Sequence, residues 1–175
     1  MNLQSYTADT LPELYANLVP TYKSGSRGRP FVATVKQWEN RYGEAIQKIN
    51  PKRARNRSDN YIDRREIQRI RGRDDYSFRF GVSKSGRGYH GIRGDFCLSS
   101  AAVSNQRHLT LFYRSLELIG GFGYDLTLVN ELEQQLATSW KSVTFVAVHA
   151  YVFALKRNSN EKLYPKLLEI FHAGS

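Results

Sequence analysis

A few side chains in this sequence have the types and spacing that nucleophilic and anion-binding chemistry uses. Cys97 is the one cysteine; as a thiolate it is a strong nucleophile, and as a thiol it is an ordinary small buried hydrophobe. Arg114 and Ser115 are adjacent. A guanidinium presents parallel donors that fit a phosphate in two-point fashion, and a hydroxyl can add a third donor. The plainer alternative pairs Arg114 with Glu117 on one strand face. Asp125 precedes an apolar helical pattern, so its carboxylate suits a helix cap, or an acceptor for a ligand's amine. His149 and Tyr151 are two residues apart and share one face of a strand. A histidine on an apolar strand is otherwise a core residue.

The basic residues have their own pattern. From Lys52 to Arg73 the sequence holds Lys52, Arg53, Arg55, Arg57, Arg64, Arg65, Arg69, Arg71 and Arg73 against Asp59, Asp63 and Glu66. This run is either a solvated helix face or a phosphate-binding surface. Overall, 26 Lys and Arg oppose 16 Asp and Glu for a net charge of +10, which points to phosphate-bearing partners. One cysteine and four scattered histidines give no metal-ligand spacing. KSGRGYHGIRG, residues 84–94, carries glycines but neither a dinucleotide nor a Walker pattern.

These residues must be positioned by a chain of 175 residues, enough for one domain, 1–175, with a core that needs no disulfide. A lone cysteine suits a reducing compartment. With no signal-like N-terminus and no apolar run near the roughly 20 residues of a membrane span, a soluble cytoplasmic protein is expected. Thr10 to Leu18 reads as a short helix, SGSRGRP at 24–30 as a basic loop, and Thr34 to Ile49 as a helix. Tyr76, Phe78, Phe80 and Val82 alternate as a strand, with Arg79 on its other face. Cys97–Val103 and His108–Leu118 read as a hairpin around SNQR, and GGFG as a sharp break. A helix through Leu128, Val129, Leu132 and Leu136 follows, then a strand from Val143 to Leu155 and a last helix through Leu163, Leu167, Leu168 and Phe171.

YRSLELIGGFGYDLTLV, residues 113–129, resembles the thymidylate synthase pattern of Arg-Ser, an acidic residue, a glycine and an aromatic-Asn step into a helix. The resemblance extends over roughly residues 60 to 155. It includes IDRREIQRIRGRDDYSFR, the eighteen-residue interval from Arg79 to Cys97, and His149-Ala150-Tyr151. It implies an α+β fold, a mixed or antiparallel sheet with flanking helices and a thymidylate synthase-like core. By the same resemblance Arg27, Arg79, Arg114 and Ser115 hold the nucleotide phosphate, and Asp125, His149 and Tyr151 contact base and sugar. Cys97 is the nucleophile that adds at pyrimidine C6, and Glu39 handles protons. Asp stands at 125 where thymidylate synthases have Asn; similar deoxycytidylate hydroxymethylases carry Asp, which implies cytosine. Phe96 and Leu98 replace the family's usual flanks of the cysteine, and only one arginine of the phosphate pair is present.

Two functions follow. One is C5 one-carbon transfer to a deoxypyrimidine nucleotide by a homodimer, with a methylene-carrying tetrahydrofolate as the implied donor, although the family's long folate-covering segment has no counterpart after Tyr151. The other is a catalytically inactive relative that binds nucleic acid through the arginines at 53, 55, 57, 64, 65, 69, 71 and 73.

Overall fold

Strand patterning is clearest in Ser142–Tyr151, where Val143, Phe145 and Ala147 point inward and are buried, while Val146 and Val148 point to the opposite face. In the computed structural model, which describes residues 3–22, 28–62, 64–80, 98–105, 107–152 and 160–173, this segment is the central strand. The strands are β1 (Gln4–Ala8), β2 (Arg29–Val35), β3 (Tyr76–Arg79), β4 (Leu98–Ser104), β5 (His108–Tyr113), β6 (Leu116–Glu117) and β7 (Ser142–Tyr151). They form one mixed sheet in the order β1-β2-β7-β5-β4-β3, with β6 continuing alongside β7 beyond β5. The pairs β1/β2, β5/β7 and β6/β7 are parallel and the others antiparallel. The protein is therefore α+β, as the sequence implies.

The helices are α1 (Leu11–Leu18), α2 (Arg41–Ile49), α3 (Pro51–Tyr61), α4 (Arg64–Ile70), α5 (Gly120–Leu136) and α6 (Asn160–His172). They form one layer on the inward face of the sheet. At its centre lies α5, buried along nearly its whole length, with Phe122 packed against Phe145 of β7 at 5.0 Å between ring centroids. Helix α1 stacks Tyr15 on Phe122, and α2, α3, α4 and α6 all pack on α5. Close packing on every side explains the glycines. A Cβ at Gly123 would lie 3.3 Å from Leu167 of α6, and one at Gly43 of α2 would lie 2.6 Å from the Leu126 carbonyl oxygen. No described helix is long and apolar enough to cross a membrane.

The opposite sheet face carries no described helix. There His108 shares hydrogen bonds with Ser142 (2.5 Å) and Thr144 (3.2 Å), and Thr144 shares one with Thr34 (2.9 Å). Burial lowers the pKa of His108, so its imidazole is neutral at pH 7. Phe112 and Val148, 37% and 64% exposed, stand on this side as well.

Several expectations are corrected. The segment before Arg41 is not helical: Val35 ends β2 and Trp38 is a loop residue packed on Phe145. Strands β1 and β2 lie where the sequence suggested only termini and loop. GGFG does not interrupt the chain but opens α5, six residues ahead of Leu126. The basic run from Lys52 is two helices, α3 and α4, folded against α5 through Ala54, Tyr61, Ile67 and Ile70.

Candidate functional site

Two strands, β4 and β7, lose regular register toward the same end of the sheet, and between them the pairing of the β5–β6 segment with β7 lapses for two residues without a change of register. In β4 an extra residue lies between Leu98, opposite Tyr113, and Ser100, opposite Phe112. The strand leading from β5 to β6 leaves the ladder at Arg114 and Ser115, between Tyr113 opposite Ala147 and Leu116 opposite Ala150. In β7 the residues Val148 and His149 form a bulge, since Phe31 pairs with Ala147 and Arg29 with Ala150. A bulge breaks the inside-outside alternation and re-aims a side chain, and bulges concentrate beside functional sites. Here Val148 and His149 are consecutive and both exposed.

This row of irregularities brings together four of the candidate residues, Arg114, Ser115, His149 and Tyr151. Arg114 is exposed and Ser115 half-buried at the strand break, and by register they lie opposite Val148 and His149. His149 and Tyr151 have ring centroids 5.6 Å apart, so the two rings do share a face. From the other side, the β2 chain enters beside them. A Cβ on Gly28 would meet the His149 ring where it now stands, so the backbone of this segment lies directly against the imidazole. That contact was not legible in the sequence. Arg27, the next residue, and Cys97, which precedes Leu98 at the start of β4, lie outside the described residues. Arg79 ends edge strand β3 with its backbone opposite Ser100, and its side chain also lies outside the described part.

Glu117 has a role beyond the salt bridge that its spacing from Arg114 suggests. Its carboxylate accepts from the backbone N–H groups of Ile119 (3.1 Å), Gly120 (2.5 Å) and Gly121 (2.9 Å). Those are donors that the first turn of α5 leaves unsatisfied, and a negative charge suits that end of a helix. The N-terminus of α5 is thus already occupied by an anion of the protein itself. Behind it lies Tyr15, whose pKa is raised by burial first and then by Tyr164 and Glu117, so its hydroxyl stays protonated.

Because Glu117 caps α5, Asp125 does not. It lies in the second turn of the helix and is 0% exposed. The cap reading of Asp125 is corrected on that ground. A carboxylate buried this fully relies on neighbouring groups to satisfy it. Its neighbour Tyr124 carries the guanidinium of Arg53 from α3 over its ring, 4.6 Å from the centroid.

Glu39 is not brought to the site. It lies in the turn after β2, where Trp38 N–H donates to the Lys141 carbonyl, and pairs with Arg41 at 2.6 Å. β2 runs seven residues away from the His149 end, a span of about 20 Å at the usual rise of a strand. A proton-handling role for Glu39 at Arg114 and His149 is therefore excluded by distance. Among the described residues no cluster of His, Cys, Asp or Glu could hold a metal ion.

Comparison with protein-family models and with curated proteins finds no match for the sequence. The functional reading accordingly rests on the residues and their geometry.

Proposed function

We propose that this protein binds a pyrimidine nucleotide at the irregular end of its sheet, in the manner of the thymidylate synthase and deoxycytidylate hydroxymethylase family. The observation that carries the reading is the alignment of the strand break at Arg114–Ser115 with the β7 bulge at His149. Ser115 and His149, 34 positions apart in the sequence and assigned to phosphate and sugar by the resemblance, thereby stand opposite one another on adjacent strands. In this reading Arg114 and Ser115 take the phosphate, His149 and Tyr151 the sugar, and Asp125 the base. Arg27 and Arg79 join the phosphate from the adjoining chain segments.

The chemistry proposed is one-carbon transfer to C5, in which the Cys97 thiolate adds at C6 and leaves C5 electron-rich. Arginines around a phosphate favour that thiolate over the thiol. A tetrahydrofolate would supply the carbon; the described residues include no side-chain set that marks its site.

Asp125 gives this reading its sharpest test. Since the residue has no exposed surface, a base read by it takes the place of a protein group now packed there. A carboxylate accepts from the C4 amine of cytosine but opposes the C4 carbonyl of uracil. The protein is expected to prefer deoxycytidylate over deoxyuridylate by about tenfold, equivalent to ~1.4 kcal/mol. Asp125→Asn should shift that preference toward uracil with phosphate binding intact. Calorimetry with both nucleotides on both proteins measures it; equal affinities, unchanged by the substitution, would leave Asp125 a purely structural residue.

The proposed assembly is a homodimer packed through the open sheet face, where Phe112 and Val148 are exposed and no described helix lies. Light scattering at micromolar concentration should give a mass near twice 20.1 kDa. Mass equal to one chain across that range contradicts the dimer.

A further inference from the structure

We propose that the nucleotide is presented within single-stranded DNA, whose backbone crosses the outer faces of α3 and α4 and delivers one base to the site past Arg53. This rests on the pyrimidine-site reading above and names the form of its substrate. Helices α3 and α4 bury Ala54, Tyr61, Ile67 and Ile70 against α5 and turn their cations outward. On α4 and the turn after it, Arg64, Arg65, Arg69, Arg71 and Arg73 are all exposed; on α3, Lys52, Arg53 and Arg55 are.

Neighbouring carboxylates offset part of this charge without balancing it, since Asp59, Asp63 and Glu66 stand against nine Lys and Arg from Lys52 to Arg73. Glu66 pairs with Arg69 at 3.6 Å, and Asp75 accepts the backbone N–H of Asn105 at 2.9 Å, tying it to the β4–β5 turn. One nucleotide phosphate needs a few donors, which Arg114 and Ser115 supply. Eight exposed cations match a ligand with a charge at every residue, which is a polynucleotide backbone.

One contact links this face to α5, the helix that carries Asp125. Arg53 belongs to the cationic face of α3, yet its guanidinium covers Tyr124, the residue beside Asp125. Arg65 and Arg69 are one turn apart on α4, about 6 Å between side-chain roots, close enough to follow successive phosphates. A single strand is favoured over a duplex because Asp125 is fully buried: a base can meet it only after leaving its stack and its pairing partner.

The test compares deoxycytidylate with a fluorescein-labelled 12-residue oligodeoxycytidylate, on the full chain and on the combined variant R64A/R69A/R71A/R73A. The oligonucleotide is expected to bind at least 100-fold tighter than deoxycytidylate at 50 mM KCl. Removing four phosphate contacts should reduce the salt slope by about 3, so that the fall in oligonucleotide affinity between 50 and 200 mM KCl is roughly 50-fold smaller in the variant than in the parent. Deoxycytidylate affinity should not change in the variant, whereas Arg114→Ala should weaken both ligands.

An oligonucleotide bound no tighter than deoxycytidylate, or bound equally by the variant, overturns the proposal while the nucleotide site stands. Oligonucleotide binding insensitive to Arg114→Ala overturns the path to the site. Tighter binding of a duplex, of an oligoribocytidylate or of phosphatidylserine vesicles overturns the choice of single-stranded DNA. Failure of both deoxycytidylate and the oligonucleotide to bind defeats the nucleotide reading beneath it.

Discussion

Gly43→Ala should destabilise the protein by about 1 to 3 kcal/mol, although alanine is the better helix former. In an exposed helix the exchange would gain about 1 kcal/mol. Here the new Cβ would lie 2.6 Å from the Leu126 carbonyl oxygen and 2.6 Å from the Asn130 side-chain amide. The carbonyl belongs to the backbone of α5 and cannot turn aside. Asn130 is held too, because its amide donates to the Asn40 carbonyl at 2.7 Å. Overpacking costs about 1 to 3 kcal/mol, and breaking the Asn130 bond adds about 1 kcal/mol, so the loss exceeds the propensity gain. For a chain of this size Tm should fall by roughly 2 to 12 °C. A variant as stable as the parent, measured by calorimetric or circular dichroism melting, would mean that α2 and α5 can move apart freely.

Arg114→Ala should weaken deoxycytidylate binding by roughly 100-fold and leave folding nearly unchanged. Hydrogen bonds to a charged group contribute about 1.5 to 3 kcal/mol each, and a guanidinium placed on a phosphate makes two, so a loss of ~3 kcal/mol is a moderate expectation. Because Arg114 is exposed at the strand break, truncating it opens no cavity, and a melting curve of the variant separates lost affinity from any lost stability. Arg114→Lys keeps the charge and loses the fork, so it should recover only part of the affinity. Equal affinity of parent and Arg114→Ala for deoxycytidylate would remove the phosphate from this position.

What the sequence disclosed, and what it withheld, follows from the range of each interaction. Alternation in β7 and the apolar spacing of α6 are local, and both elements stand where their residues indicate. The start of α5 was hidden because its cap is not the residue before the helix. Glu117, in a strand, reaches forward to three N–H groups, which makes two successive glycines tolerable in a first turn. β2 was hidden because Val35, Trp38 and Tyr42 mimic helical spacing, although one ends a strand, one sits in a turn and one begins a helix.

The site shows the same division. Arg114–Ser115 and His149–Tyr151 were legible as pairs, since each is a short pattern. Their meeting was not, because a bulge is a mismatch between two strands and neither strand alone records it. The approach of Gly28 to His149, and of Arg53 to Tyr124, joins segments about 120 and 70 residues apart in the chain that only the long-range pairing of the sheet and helix layer brings together. Glu39 failed for the complementary reason. A fitting residue type near a fitting helix carried no information about which end of the sheet it would occupy.

The central claim is tested most directly by a crystal structure of the protein with deoxycytidylate. The account predicts the phosphate within hydrogen-bond distance of the Arg114 guanidinium and the Ser115 hydroxyl, the sugar against His149 and Tyr151, and the base directed toward Asp125. A nucleotide bound elsewhere on the chain, or none bound at millimolar concentration, would contradict it.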